Sequence, residues 1–307
     1  SVTFTATQTA LYIMPHTYKN QTTDTIFDNI SVRLAEEDRS VNGNGVQVFG
    51  TVTKTAVATN ADLVGYSGFS PDANRLQQPY NADYQFGTGD FSFNIWAKVT
   101  GTNIKYLFSR YGSGSTGGGA GGGGGFGMYL NGSGQVATFI SQAPSTNNEF
   151  ASTATINCGN WHLVSYVRAG NTASIYIDGK PSGSMSLTAS LNVNLANPYP
   201  LVVGNYNNLG YGWLGSLALL RISATAPSPE QIAKMYNDEK HLFQAGAQAT
   251  LYGTSNAVTA LAYDDSTNLL HVGTSAGRST FQGLRRVENT TTAVGTTISA
   301  SNGLVAE

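Results

Sequence analysis

The sequence predicts an all-β protein: a two-sheet sandwich with one short C-terminal helix, flanked by smaller β-rich segments. Three observations lead to this prediction. Charged residues make up only 11% of the 307 positions, and Gly, Thr, Ser and Asn take their place, which suits strands and turns. Many short segments alternate apolar and polar residues, as half-buried strands do. A single segment carries the signals of a capped helix.

Composition excludes several function classes. The 16 Lys+Arg and 18 Asp+Glu residues give a net charge of −2, so the chain lacks the basic surface that attracts nucleic acid or an anionic membrane. No apolar run approaches the ~18 residues of a membrane span. We therefore expect no nucleic-acid partner and no membrane insertion. The one cysteine, Cys158, excludes an intramolecular disulfide, and we predict that it is a small buried hydrophobe.

The first segment, residues 1–44, has the pattern of short strands joined by polar turns. Three strands form a poor core by themselves, so we expect this segment to lean on a neighbouring domain or another chain. Its last strand, residues 26–32, has the sequence Ile-Phe-Asp-Asn-Ile-Ser-Val. This strand resembles the closing strand of jelly-roll carbohydrate-binding modules. The paired Asn-Gly turns at 42–45 mark the boundary to the next segment.

Residues 45–243 have the pattern of one long β unit. Apolar and polar residues alternate along 91–99 and along 161–168, so each strand is predicted to bury one face, as in a sandwich. Asp178-Gly179 predicts a type I′ hairpin turn. The predicted strands are 46–49, 91–99, 105–110, 127–130, 135–140, 161–168, 172–177, 201–203 and 214–222.

One helix is predicted to interrupt the strands after residue 228. Ser228 stands in the N-cap position and Pro229 is the first helical residue. Gln231 follows the cap by three residues, which is the spacing of a capping box. The apolar stripe predicted to pack on the sheet consists of Ile232, Met235 and Tyr236.

Seven motifs follow one another in this segment. They are Phe-Ser-Phe-Asn-Ile-Trp at 91–96, Phe-Gly-Met-Tyr-Leu at 126–130, Trp-His-Leu-Val at 161–164, Ile-Tyr-Ile-Asp-Gly-Lys at 175–180, Val-Gly-Asn at 203–205, Trp-Leu-Gly-Ser-Leu-Ala-Leu-Leu-Arg-Ile at 213–222 and Ser-Pro-Glu-Gln-Ile at 228–232. In this order they resemble laminin-G-like, concanavalin-A-like jelly-roll domains. The resemblance implies two curved antiparallel sheets and a role in binding glycans or proteins, in some members with calcium.

The last segment, residues 244–307, has strand patterns at 257–263, 269–274 and 278–284, separated by turns. It resembles one blade of a β-propeller followed by a polar tail. A propeller needs about four to eight blades to close. We therefore expect these strands to pair with a neighbouring subunit or with further blades.

Aromatic and amide side chains occur close together within residues 206–213. Flat aromatic rings can stack on the apolar face of a sugar while amides hydrogen-bond its hydroxyls. The predicted ligand-binding residues are Tyr206, Asn207, Asn208, Tyr211 and Trp213. The resemblance leaves an alternative for Trp213, because that position often closes the sheet before its last strand. Weaker candidates are Tyr80, Tyr84 and Tyr111.

Loop carboxylates are the candidate metal ligands. Asp62, Asp72 and Asp90, with Asp83, lie in predicted loops and offer oxygen atoms to a calcium ion. The alternative is that they are solvated turn residues. No catalytic residue is predicted. The chain lacks the paired Glu-x-Asp-x-x-Glu acids of concanavalin-like glucanases, its histidines are scattered, and no motif identifies a catalytic triad.

A glycine-rich tract runs from residue 112 to 125, with its polyglycine part at 117–125. No Lys-Ser/Thr pair and no helix follow it, so it is not a phosphate-binding loop. Two interpretations stay open. The tract is either a flexible loop of the sandwich or an ordered contact surface at a tip or a subunit interface.

Together these features predict a non-catalytic binding protein, extracellular or on a virion surface. The arrangement is similar to bacteriophage tail fibre and receptor-binding proteins. That similarity implies a homotrimer that binds a bacterial surface glycan, with avidity from several weak sites. The alternatives are a structural module that joins fibre or appendage subunits and a secreted bacterial lectin or adhesin. A polysaccharide hydrolase is the least supported, since it needs two facing carboxylates.

Overall fold

The protein is described from a computed structural model. The structure describes residues 35–36, 45–71, 73–111, 125–142, 146–194, 199–207, 209–247, 258–283, 285–291, 299–301 and 304–306. All of the strands predicted within residues 1–44 and nearly all of the glycine-rich tract lie outside these residues.

The described strands form four antiparallel sheets. The first fifteen strands are β1 (Ala35–Glu36), β2 (Val46–Phe49), β3 (Thr53–Ala56), β4 (Val64–Ser67), β5 (Arg75–Gln78), β6 (Phe91–Thr100), β7 (Lys105–Tyr111), β8 (Gly125–Leu130), β9 (Gln135–Gln142), β10 (Thr146–Thr155), β11 (Cys158–Ala169), β12 (Thr172–Ile177), β13 (Lys180–Ser186), β14 (Leu201–Val203) and β15 (Gly215–Ser223). The C-terminal strands are β16 (Val258–Asp264), β17 (Leu269–Thr274), β18 (Gly277–Gln282), β19 (Arg285–Thr290), β20 (Ser299–Ser301) and β21 (Leu304–Ala306).

Two large sheets form the sandwich. The eight-stranded sheet has the order β1-β2-β5-β14-β7-β8-β9-β10, and the seven-stranded sheet has the order β13-β12-β11-β6-β15-β4-β3. Neighbours in space are often distant in the chain, as expected of a jelly roll rather than a simple meander. The prediction of an all-β sandwich with one short helix is confirmed.

One aromatic core joins the two sheets. The alternation predicted for β6 is confirmed, because Phe91, Phe93 and Ile95 are fully buried between the sheets. They meet Phe108 of β7 and Phe126 of β8 from the opposite sheet. The sandwich is therefore held together by burial of large apolar side chains from both inner faces.

Helix α1 (Pro229–Glu239) covers the outer face of the seven-stranded sheet and is followed by a 3₁₀ turn (Lys240–Phe243). The predicted capping box is confirmed: the backbone N–H of Gln231 donates to Ser228 Oγ, and the N–H of Ser228 donates to Gln231 Oε1 at 2.8 Å. Ile232 is buried against Val167 and Tyr176. The cap and the apolar stripe thus fix where the helix begins and which face it buries.

The end of α1 is tied to the sheet by Glu239. Its carboxylate accepts a hydrogen bond from Trp96 Nε1 at 2.7 Å and forms a two-pronged ion pair with Arg221. The Trp96 ring also stacks on Phe243, with ring centroids 4.1 Å apart. Both faces of β6 are therefore covered, one by the opposite sheet and one by the helix.

Glu239→Ala is expected to lower the free energy of unfolding by roughly 1–3 kcal/mol, because Trp96 Nε1 and Arg221 would lose a charged partner at a largely buried site. Urea unfolding measures it. The matched control is Asp238→Ala, which removes an exposed i,i+4 pair with Lys234 and should cost about 0.5 kcal/mol or less. Equal losses in the two variants would contradict this account of how the helix is anchored.

A β-bulge separates Cys158 from the regular part of β11. The pairing of β11 with β6 shifts register between Cys158 and Trp161, and Gly159 takes a φ of +82°. The bulge removes Cys158 from the alternation, and the residue is exposed. The prediction that it is a buried hydrophobe is therefore wrong. At the next hairpin, Asp178 and Gly179 have φ values of 53° and 78°, which fits the predicted type I′ turn.

The C-terminal segment forms a four-stranded antiparallel sheet in the order β16-β17-β18-β19. The structure adds β19 to the three strands predicted from the sequence. A backbone hydrogen bond from Arg286 N to Gly246 O, 2.8 Å long, links this sheet to the end of the sandwich segment. Ala35–Glu36, from before the predicted boundary at residue 44, pairs with β2. The boundaries at 44/45 and 243/244 stay predictions.

Candidate functional site

Five tyrosines gather on the solvent side of the eight-stranded sheet. We call Tyr106, Tyr111, Tyr129, Tyr206 and Tyr211 the tyrosine cluster. The neighbouring side chains of β7 and β8, among them those of Phe108, Phe126 and Met128, point the other way, into the core.

Tyr106 lies at the centre of the tyrosine cluster. Its ring centroid is 4.7 Å from that of Tyr206, 5.1 Å from Tyr129 and 5.7 Å from Tyr211. Tyr111 extends the group, 5.9 Å from Tyr206. Tyr211 is 43% exposed and the other four are half-buried. The cluster is thus a supported aromatic surface with one ring standing out into solvent.

Phe139 underlies this surface from β9. Its ring makes edge contacts with Tyr106 at 6.3 Å and Tyr111 at 5.6 Å. Gly127 on the adjacent strand makes room for it, since a Cβ atom there would lie 2.4 Å from the Phe139 ring. A glycine at this position is therefore what lets the Phe139 ring lie against β8 while its neighbours Tyr106 and Tyr111 meet it edge-on.

Asn205, which is fully buried, holds the loop that carries two of the tyrosines. Its Oδ1 accepts the backbone N–H of Tyr206 at 2.9 Å and of Tyr211 at 3.1 Å. Its Nδ2 donates to the carbonyls of Ser70 and Pro71. One amide therefore fixes both ends of the 206–211 turn to the neighbouring loop.

The predicted ligand residues have different positions. Tyr206 and Tyr211 come together, as described. Asn207 is engaged within the fold: its Oδ1 accepts from Ser109 Oγ and Tyr111 N, and its Nδ2 donates to Pro200 O. Asn208 lies outside the described residues.

Trp213 is only 1% exposed and belongs to the core. Its ring therefore offers no stacking face to a ligand, which corrects its inclusion among the ligand-binding candidates. The alternative interpretation, a residue that closes the sheet, agrees with this position.

Burial raises the pKa of two phenols of the tyrosine cluster. It raises the pKa of Tyr206 to about 12, and it raises the pKa of Tyr106 further, in both cases with a smaller contribution from the neighbouring tyrosines. The Tyr129 hydroxyl donates to Glu149, whose own pKa is raised by burial. The surface thus combines aromatic rings and hydroxyls with one carboxyl group, that of Glu149, at its edge.

Sequence reasoning missed the central ring, Tyr106, and also Tyr129. Tyr129 stands in a strand where an outward aromatic has the same alternation pattern as any exposed side chain. Tyr106 precedes a register shift between Tyr106 and Phe108, so simple alternation does not predict its direction. The one hint in the sequence is that Tyr106 stands directly before two apolar residues, Leu107 and Phe108, which are both buried. This local pattern does not show which distant residues share a surface with Tyr106.

The described residues do not assemble the predicted calcium site. Asp62 lies in a loop before β4, where its backbone N–H bonds to Ala247 O. Asp90 precedes β6, and its Oδ1 accepts the N–H of Gly170 at 2.7 Å. Asp72 lies outside the described residues. Within the described part of the chain, no three His, Cys, Asp or Glu side chains are grouped so that they can hold a metal ion.

None of the helices in the described residues combines the length and apolar character that crossing a membrane requires.

Residues 77–233 match the family model Laminin_G_3, described as the concanavalin A-like lectin/glucanases superfamily. No curated protein sequence matches the chain.

Solved structures share the fold at low sequence identity. The binding domain of Paraclostridial Mosquitocidal Protein 1 is 13% identical with a TM-score of 0.53, covering 79% of this chain and 61% of that one. The binding domain of botulinum neurotoxin serotype D is 14% identical with a TM-score of 0.53, over 80% and 59%. The binding domain of botulinum neurotoxin DC in complex with rat synaptotagmin II is 13% identical with a TM-score of 0.51, over 80% and 59%. This chain thus spans about three fifths of their length.

Proposed function

Because the chain belongs to the concanavalin A-like lectin/glucanase superfamily, we propose that it is a binding protein whose tyrosine cluster holds a bacterial surface glycan without catalysing any change in it. Its fold is that of a lectin-like binding domain, and similar structures are receptor-binding domains. The observation that carries the proposal is the position of Tyr211, which is half exposed and supported by Tyr106 and Tyr206.

Sugar rings suit this surface chemically. A pyranose has an apolar face of C–H groups that packs on an aromatic ring, and its hydroxyls need donors and acceptors nearby. The tyrosine hydroxyls and the Glu149 carboxylate supply both. Glycan binding would cost the protein little conformational entropy, because Asn205 and Phe139 already hold the rings in place.

Tyr211→Ala is expected to weaken glycan binding roughly fivefold or more, since stacking on one ring is worth about 1 kcal/mol. A bacterial glycan array finds the ligand, and calorimetry on the best hit gives the affinity. The control is Tyr80→Ala, because Tyr80 is equally exposed at 43% but makes no ring contact with the cluster in the described part of the chain. A ligand bound equally well by both variants would place the site elsewhere.

The setting we propose is the virion surface, where the chain acts as a subunit of a homotrimeric bacteriophage tail fibre in host recognition. Leu261 and Tyr263 support self-association. They stand two residues apart on the edge strand β16, with 68% and 57% of their surface exposed, and an uncovered apolar edge favours a partner. Three linked sites would also add avidity to a weak one.

Light scattering tests the assembly, with three times the 32.3 kDa chain mass as the expected result. A monomer would count against the fibre. A trimer that is silent on the array favours the second candidate, a structural module joining subunits, for which the exposed edge strand is the supporting observation. A monomer that binds glycans fits a secreted bacterial lectin or adhesin. An EDTA arm tests whether calcium takes part.

A further inference from the structure

Cys158, His162 and Asp178 form a linked group at the end of the seven-stranded sheet. His162 Nε2 lies 3.1 Å from Cys158 Sγ, and His162 Nδ1 lies 2.8 Å from Asp178 Oδ2. The sulfur is exposed, whereas the imidazole is largely covered. A thiol, an imidazole and a carboxylate in this order are the parts of an activated nucleophile: the imidazole takes the thiol proton and the carboxylate orients the imidazole.

Two irregularities of the backbone bring the group together. The bulge after Cys158 brings its sulfur within reach of His162, four residues along the same strand. The type I′ turn places Asp178 beside them, where its Oδ1 also accepts the backbone N–H of Leu163 at 3.0 Å. This second bond fixes the carboxylate, so the imidazole is held in one orientation.

The local charges favour the thiolate–imidazolium form. The hydrogen bond from Asp178 raises the pKa of His162 to about 9. The pKa of Cys158 is lowered, first by the hydrogen bond with His162 and then by the backbone N–H of Asn160. From the helix, Tyr236 is the ionisable group near Asp178, and its pKa is raised by burial and by that carboxylate.

A groove of about 510 Å³ lies beside this group, between α1 and the sheet. Gly159 and Asn160, the two residues after the cysteine, line it, so the nucleophile stands at its rim. The half-buried Trp161 ring provides an apolar wall, and Lys98 and Lys240 add hydrogen-bond donors. The Trp96 ring forms the floor and is itself covered by Phe243.

We propose that Cys158 is the nucleophile of a thiol acyl-transfer site, which takes acyl groups from esters of ring alcohols bound in this groove. Ester chemistry is favoured over disulfide exchange by the His–Asp pair. An alkoxide is a poor leaving group that needs a proton, and the imidazolium can supply it. The Trp161 ring suits a ring alcohol, and the ammonium groups of Lys98 and Lys240 are donors for ester oxygens.

The reaction balances without an oxidant or reductant. The Cys158 thiolate attacks the ester carbonyl carbon, a C–S bond forms, and the ester C–O bond breaks as His162 Nε2–H protonates the departing alkoxide. The neutral imidazole then takes a proton from water, whose oxygen attacks the thioester carbonyl. The C–S bond breaks, the acid is released, and the Cys158 thiolate and the His162 imidazolium are regenerated. The net reaction converts an ester and water into an alcohol and an acid.

The test uses the full chain with phenyl acetate and 4-nitrophenyl acetate as probes. Because the chain has one cysteine, a gain of one acetyl group that is lost in Cys158→Ser can be assigned to that sulfur. His162→Gln should slow acylation by phenyl acetate about 100-fold, and by 4-nitrophenyl acetate less, because nitrophenolate leaves without a proton. The control is His241→Gln, an exposed histidine outside the groove lining.

Asp178 acts as a positioning residue. Asp178→Asn keeps an acceptor for the Leu163 N–H but removes the charge that stabilises the imidazolium. The thiolate should therefore form only at higher pH, so the pH at which the acylation rate rises to half its maximum should be higher in this variant than in the wild type. Acylation no faster than that of N-acetylcysteine at the same pH, or equal rates in the wild type and His162→Gln, would overturn the proposal. Glycan binding by the tyrosine cluster should be unchanged in Cys158→Ser, so the two proposals fail separately.

Discussion

Asn205→Ala is expected to lower the free energy of unfolding by about 4 kcal/mol and to weaken glycan binding at least as much as Tyr211→Ala. The substitution removes four hydrogen bonds of a fully buried amide, each worth about 1 kcal/mol net. It also releases the backbone of Tyr206 and Tyr211. The two rings would then lose their fixed position, and binding would bear the cost of ordering them.

Urea unfolding and calorimetry with the glycan measure the two effects of Asn205→Ala. The matched control is Asn194→Ala, because the exposed Asn194 accepts a hydrogen bond from Gly87 N. Its removal should cost about 1 kcal/mol or less and leave glycan binding unchanged. A loss in Asn205→Ala no larger than in this control would mean that the loop is held by other contacts.

Phe93→Ala is expected to lower the free energy of unfolding by about 3–5 kcal/mol, as removal of a buried phenylalanine does when its site cannot collapse. Phe93 is fully buried where the two sheets meet. Its ring contacts five other aromatic rings, with centroids 4.7 to 6.4 Å away: Phe86, Phe91, Phe108, Phe126 and Tyr166. Ring contacts of this kind leave a void when the ring is lost.

The same urea titration tests Phe93→Ala, with Phe86→Ala as the control. Phe86 contacts the same group of rings but is only half-buried, so its loss should be clearly smaller. An unchanged slope of free energy against urea would show that both variants still unfold from the same compact state. Equal losses would contradict the view that Phe93 is the centre of the core.

The candidate site was only partly predictable. Tyr206 and Tyr211 could be found because they lie five residues apart in one loop, beside amides that suit sugar hydroxyls. The rings that support them could not be predicted. Tyr106 and Tyr129 come from β7 and β8, and no local pattern links those strands to the 206–211 loop. Trp213 shows the opposite case. Its aromatic side chain and its sequence neighbours are typical of a ligand-binding loop, yet its ring lies in the core.

The Cys158 group was missed for a related reason. The sequence places His162 four residues after the cysteine, but regular alternation gives no reason for their side chains to meet. The bulge at Gly159 changes that geometry, and the hairpin turn then adds Asp178 from a separate strand pair. Irregularities of this kind are weak signals in a sequence and strong determinants of local chemistry.

The all-β class, the alternating strands of the sandwich, the capped helix and the type I′ turn could all be predicted from the sequence. Each of these depends on residues close in the chain, through side-chain periodicity, capping and allowed backbone angles. The order of the strands in the sheets depends on long-range packing, and no local pattern specifies it. The tyrosine cluster, the fixation by Asn205 and the link between Cys158, His162 and Asp178 therefore emerged only with the fold, because each joins residues whose approach is set by sheet order and by a bulge rather than by local pattern.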